Sequence, residues 1–110
     1  MSKRSRFTNS LALLLIQMDA SKDTPILDFV KRSTEEQKRL FDAGRSKCDG
    51  TNNISRHQVG LAADIYLLDE FGKLIDWSTI PKKAAYYHEF WETLGGNKVI
   101  PWDLGHFEWV

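Results

Sequence analysis

Leu61-Ala62-Ala63-Asp64-Ile65-Tyr66-Leu67-Leu68 is the stretch on which the reading of this 110-residue chain turns. Apolar residues recur at every second position, so it predicts a strand buried on at least one side, with Leu61, Ala63, Ile65 and Leu67 on one face. Ala62, Asp64 and Tyr66 fall on the other, so a carboxylate points away from the most apolar face. Gly60 precedes the strand and suits a turn or a close backbone approach, which lets His57 on the incoming loop fold back toward Asp64. At the far end, Gly105-His106-Phe107-Glu108-Trp109-Val110 alternates as a second strand, on which His106 and Glu108 share a face and Phe107 points the opposite way.

Outward from these strands the periodicity changes. Phe7, Leu11, Leu14, Leu15 and Met18 stand at helical intervals and predict an amphipathic core helix. Lys22 to Pro25 reads as a turn and Ile26 to Val30 as a strand. Ser33 and Glu36 form a capping box for a helix over 34–43, with Gly44 at its C′ position. Arg45 to Asn53 is polar and reads as a loop leading into His57. Asp69 to Lys73 reads as a turn and Leu74 to Trp77 as a short extension. Ser78 or Thr79 is expected to cap a third helix with Pro81 in its first turn, carrying Ile80, Ala84, Tyr87, Trp91 and Leu94 as one apolar stripe until Gly95-Gly96 ends it. His88 lies beside that stripe and reads as a structural residue. The alternation of helices and strands predicts an α+β domain.

Composition narrows the function. Hydrophobic residues make up 42% of the chain and aromatics 12%, the proportions of a globular protein, and the length predicts a single domain over 1–110 with no room for a separate second module. Fifteen basic and 15 acidic residues cancel, so nothing advertises nucleic-acid binding, and Lys3, Arg4 and Arg6 are too few to carry it. The single cysteine, Cys48, excludes an internal disulfide and has no second Cys at ligand spacing, so it reads as a free thiol. The apolar run Leu11 to Ile16 is too short for the core of a secretion signal, is followed by Gln17 and Asp19, and lacks a small-x-small cleavage site. No membrane-spanning segment is expected, and the chain reads as a cytoplasmic product, acting as a monomer.

Two imidazoles and two carboxylates near two strands are the inventory of a catalytic zinc site, in which three N/O ligands leave a fourth position to a water and a nearby base takes its proton. Ser55-Arg56-His57-Gln58-Val59-Gly60-Leu61-Ala62-Ala63-Asp64, followed by Trp102-Asp103-Leu104-Gly105-His106-Phe107-Glu108, resembles the D-alanyl-D-alanine carboxypeptidase and L-alanyl-D-glutamate endopeptidase family. That family includes vancomycin-resistance dipeptidases and many phage endolysins. Arg32-Ser33-Thr34 and the segment Phe41 to Lys47 also look like parts of endolysin catalytic domains, so nearly the whole chain is covered. The dipeptidase branch carries E-x-x-H-x-H in its last motif, whereas Asp103 and Glu108 here look more like the endolysin branch.

The resemblance implies a small, mainly antiparallel sheet packed with about three helices and carrying zinc bound by His57, Asp64 and His106, with Asp103 as general base. Two neutral imidazoles and one carboxylate leave zinc a formal charge of +1 and can bring the pKa of a bound water to about 7. Glu108 is the rival base because it shares a strand face with His106; its other role is to orient a ligand histidine. The implied substrate is the stem peptide of peptidoglycan, cut at the L-alanyl-D-glutamate bond by an endolysin released through a holin. Arg45 and Arg32 are the guanidinium groups placed to bind its carboxylates, against the plain reading of solvated charges. Ser55 is expected to hydrogen-bond within its loop or to substrate, and Trp102 reads equally as cleft wall or core. The alternatives are a D,D-carboxypeptidase or dipeptidase of the same family, a non-catalytic zinc module such as those of hedgehog signalling domains, and a structural or interaction domain with incidental histidines.

Overall fold

The computed structural model describes residues 2–28, 33–45 and 59–110. Its elements run α1 (Lys3–Ala20), β1 (Thr24–Leu27), α2 (Thr34–Asp42), β2 (Ala62–Leu68), β3 (Leu74–Ile75), a 3-10 turn (Trp77–Thr79), α3 (Pro81–Leu94) and β4 (His106–Glu108). Among the described residues this is an α+β fold of three helices and a small antiparallel sheet. β2 is its hub: β1 and β3 pair with its C-terminal half, and β4 pairs with its first three residues, every pairing antiparallel.

The alternation along β2 works as the sequence predicts. Ala63, Ile65 and Leu67 are buried in one cluster with Phe7, Leu11, Leu14 and Met18 of α1, Ala84, Tyr87 and Trp91 of α3, and Phe107 of β4. Fully burying a large apolar side chain is worth roughly 1.5–3 kcal/mol, so this cluster supplies the main folding force. Asp64 and Tyr66 therefore lie on the sheet face turned away from α1 and α3. Trp91 is the keystone of the core: its ring meets Phe7, Phe107 and Trp109 edge-on at 5.7–5.9 Å, and its indole N–H donates to the Glu108 carbonyl at 2.9 Å. Gly96 is required beside it, because a Cβ there would stand 2.1 Å from the indole nitrogen.

Local signals set the helix ends. The Ser33 hydroxyl accepts from the Glu36 N–H at 3.0 Å, while the Glu36 carboxylate pairs with Arg39. Gly44, at φ +71°, closes α2 in a Schellman turn, with its N–H on the Phe41 carbonyl and the Arg45 N–H on the Leu40 carbonyl. Three expectations are corrected. Thr24 and Pro25 belong to β1 rather than to a turn, and Asp28 follows the strand; Phe29 and Val30 lie outside the described residues. Neither Ser78 nor Thr79 caps α3: Asp76 accepts from the Ser78 N–H and caps the 3-10 turn, and α3 starts from Ile80 with Pro81, which has no N–H to satisfy. Trp77 leaves the strand path because its indole N–H donates to the Ile65 carbonyl of β2 at 2.9 Å, burying the ring.

Candidate metal centre

The register of one short ladder builds the site. β4 pairs with β2 so that His106 stands opposite Asp64, Phe107 opposite Ala63, and Glu108 opposite Ala62. Directly opposed residues of an antiparallel pair project on the same face with Cβ atoms about 4.5–5.5 Å apart, so an imidazole and a carboxylate 42 positions apart in sequence come together. His106 Nδ1 lies 3.2 Å from Asp64 Oδ1, and His106 Nε2 lies 2.9 Å from Glu108 Oε1. Ala62 leaves room for Glu108 to reach back to the ring. The second Glu108 oxygen accepts from the Asn97 side-chain amide at 2.9 Å, which ties the carboxylate to the segment after α3.

Asp103 arrives from the turn before β4. The Asp103 N–H donates to the Ile100 carbonyl and the His106 N–H to the Asp103 carbonyl. The buried His88 of α3 holds the same turn: its Nε2 lies 2.7 Å from the Leu104 carbonyl, so Nε2 carries the proton, and its ring stacks on Phe107 with centroids 4.1 Å apart. Burial pushes the His88 pKa down, more than the Leu104 carbonyl and the Glu92 charge raise it. The histidine read as structural thus clamps the turn that presents Asp103 and His106.

Ligand atoms of Asp64, Asp103 and His106 all lie within 4.8 Å of one another, and these residues could hold a metal ion. The donor set fits one. Three carboxylates surround one imidazole, and the side chains of His106, Asp64 and Glu108 are only 10%, 14% and 19% exposed. Burial alone would lower the His106 pKa, but the hydrogen bonds and charges of Asp64, Glu108 and Asp103 outweigh it and raise it. A proton on Nδ1 thus occupies the place a cation would take. With Nε2–H committed to Glu108, Nδ1 is the nitrogen left for an ion, the usual arrangement of a ligating histidine backed by a carboxylate. Donors on a tetrahedral ion with bonds of about 2.0–2.1 Å stand roughly 3.3 Å apart, close to the 3.2 Å between His106 and Asp64.

A cleft of about 570 Å³ opens beside Asp103, with Tyr66, Leu74, Asp76, Trp102 and Gly105 among its walls. Trp102 is 72% exposed and lines this cleft, so it is wall and not core. Backbone and hydroxyl donors of Ser78 hold Asp76 below the ordinary carboxylate range at the other side. Arg45 lies close enough for its charge to act on Tyr66, whose phenol is nevertheless pushed up by burial and by Asp64, Asp103 and Asp28. His57, Ser55, Arg32 and Cys48 lie outside the described residues. Asn97 and the clamp role of His88 were not anticipated from sequence: Asn97 follows a helix stop and bears no motif, while His88 had only its place on the stripe edge. Among the described residues, no helix is long and apolar enough to cross a membrane. Comparison with protein-family models and with curated proteins gives no match for this chain.

Proposed function

We propose that this chain is a zinc-dependent peptidase that hydrolyses peptidoglycan stem peptides, with the L-alanyl-D-glutamate bond as its target, in the manner of a phage or prophage endolysin. The observation that carries the reading is the Asp64–His106–Glu108 line across β2 and β4, with Asp103 beside it at the mouth of a cleft. His106 Nδ1 and the Asp64 carboxylate would hold the ion, with His57, which precedes β2 in the sequence, as the third donor. Bound zinc would supply carbonyl polarisation and a more acidic water. Glu108 keeps the proton on His106 Nε2 and so leaves the Nδ1 lone pair, which faces Asp64, to the ion. Asp103 is the exposed member of the group and therefore the one a water and a peptide can reach. Its carboxylate takes the proton of the attacking water as the C–O bond forms, then returns it to the departing amine nitrogen as the C–N bond breaks. Made in the cytoplasm and released through a holin, the enzyme would meet its substrate in the wall.

Purified protein incubated with purified peptidoglycan should release new amino groups, contain one zinc per chain, and lose activity on chelation. Zinc without hydrolysis would make it a non-catalytic metal module; absence of stoichiometric metal would make it an interaction domain.

A further inference from the structure

Tyr66 has no place in the reading above, yet it lines the cleft beside Asp103. It is two residues beyond Asp64 on β2, and the burial pattern puts both side chains on the face turned from the core. Its side chain lines the same cleft as Asp103. Among the described residues its hydroxyl has no hydrogen-bond partner, unlike Tyr87, which donates to Asp23, and Tyr86, which accepts from Gln17. Its ring is partly buried and packs against the edge of the core, but its hydroxyl, on a strand paired on both sides, is a held donor with nothing to donate to among the described residues.

We infer that Tyr66 is a catalytic residue whose hydroxyl donates a hydrogen bond to the oxygen that becomes negatively charged when water adds to the scissile peptide carbonyl. The inference rests on the peptidase reading. An ordinary phenol keeps its proton at neutral pH, so it can donate without being consumed: the hydrogen bond strengthens as charge develops and relaxes as the C–N bond breaks, with the proton remaining on Tyr66 throughout. Arg45, whose charge reaches Tyr66, suits the carboxylate of an acidic residue next to the bond.

The test is Tyr66→Phe, which removes one oxygen and keeps the ring, on the zinc-loaded full chain. Cleavage of a stem peptide is measured together with binding of a phosphinate pseudopeptide of the same sequence, a tetrahedral anion. We expect kcat to fall about 10²-fold with KM little changed, phosphinate binding to weaken by a similar factor, and zinc content and melting temperature to stay as in the wild type. Wild-type kcat, or a lowered kcat with undiminished phosphinate binding, overturns the inference. Loss of zinc or of thermal stability in Tyr66→Phe also overturns it, because the phenol would then be structural. A wild-type protein that cleaves nothing refutes the peptidase reading itself and takes this inference with it.

Discussion

Glu108→Gln is the most informative substitution, because the two oxygens of this carboxylate are both committed. Oε1 lies 2.9 Å from His106 Nε2 and Oε2 accepts from Asn97 Nδ2 at 2.9 Å. A glutamine has one oxygen and one NH2. If its oxygen faces His106, its NH2 meets the Asn97 NH2, donor against donor. If its oxygen faces Asn97, its NH2 needs an acceptor at His106 Nε2, which moves the ring proton to Nδ1 and blocks the atom that faces Asp64. Either orientation loses a charge-assisted hydrogen bond of about 1.5–3 kcal/mol, and the second also loses the ligating tautomer. Removing such a partner typically costs about 10–100-fold in metal affinity, and the retained amide oxygen puts Glu108→Gln near tenfold, about 1.4 kcal/mol. Glu108→Leu should approach 100-fold. Competition against a fluorescent chelator reads the zinc affinity directly, and at equal zinc the tenfold loss should lower the melting temperature by roughly 4–8 °C. Zinc affinity within twofold of wild type, with the His106 ring proton still on Nε2 by NMR, would refute the reasoning.

The other predictions separate the remaining roles. Asp103→Asn should keep zinc and fold while losing about 10²–10⁴ in turnover, whereas Asp64→Ala and His106→Ala should lose the metal. If Asp103→Asn turns over normally and Glu108→Gln is inactive with zinc bound, the two carboxylates must exchange roles; if Asp103→Asn loses zinc, Asp103 is a ligand. In the metal-free protein the two histidines should give stability opposite pH limbs. His106 has a folded pKa above its unfolded value of about 6.5, so its contribution is complete below that value and fades as pH rises through the folded one. His88 has a folded pKa below about 6.5, so its contribution is complete above that value and fades as pH falls through the folded one. Urea midpoints across this range check both limbs, and a wild-type curve parallel to that of His106→Gln on the alkaline side would remove the first.

What the sequence makes legible follows from its periods. Period two in Leu61 to Leu68 gives the face of Asp64, and the near-helical spacing of Phe7, Leu11, Leu14 and Met18 gives α1, because burial enforces both. The Asp76 cap and the exposed Trp102 were beyond it: Ser78 and Thr79 fit a cap equally well, and an aromatic beside a turn carries no sign of which side it faces. Ladder register is equally invisible to periodicity, which says that His106 and Glu108 share a face but not which residue of β2 they oppose. What settles it is Phe107, at 0% exposure between His88, Trp77 and Trp91. A slip of one residue would turn Phe107 toward solvent and drive an imidazole and a carboxylate into the core; the apolar loss alone is roughly 2–3 kcal/mol, and burying unpaired polar groups adds more. A slip of two would keep the faces but tear the Trp91 indole from the Glu108 carbonyl and the Ile65 N–H from the Gly105 carbonyl. The packing of one phenylalanine and one tryptophan therefore sets His106 opposite Asp64, so that Phe107→Ala belongs with the metal-site variants in effect, though it touches no ligand.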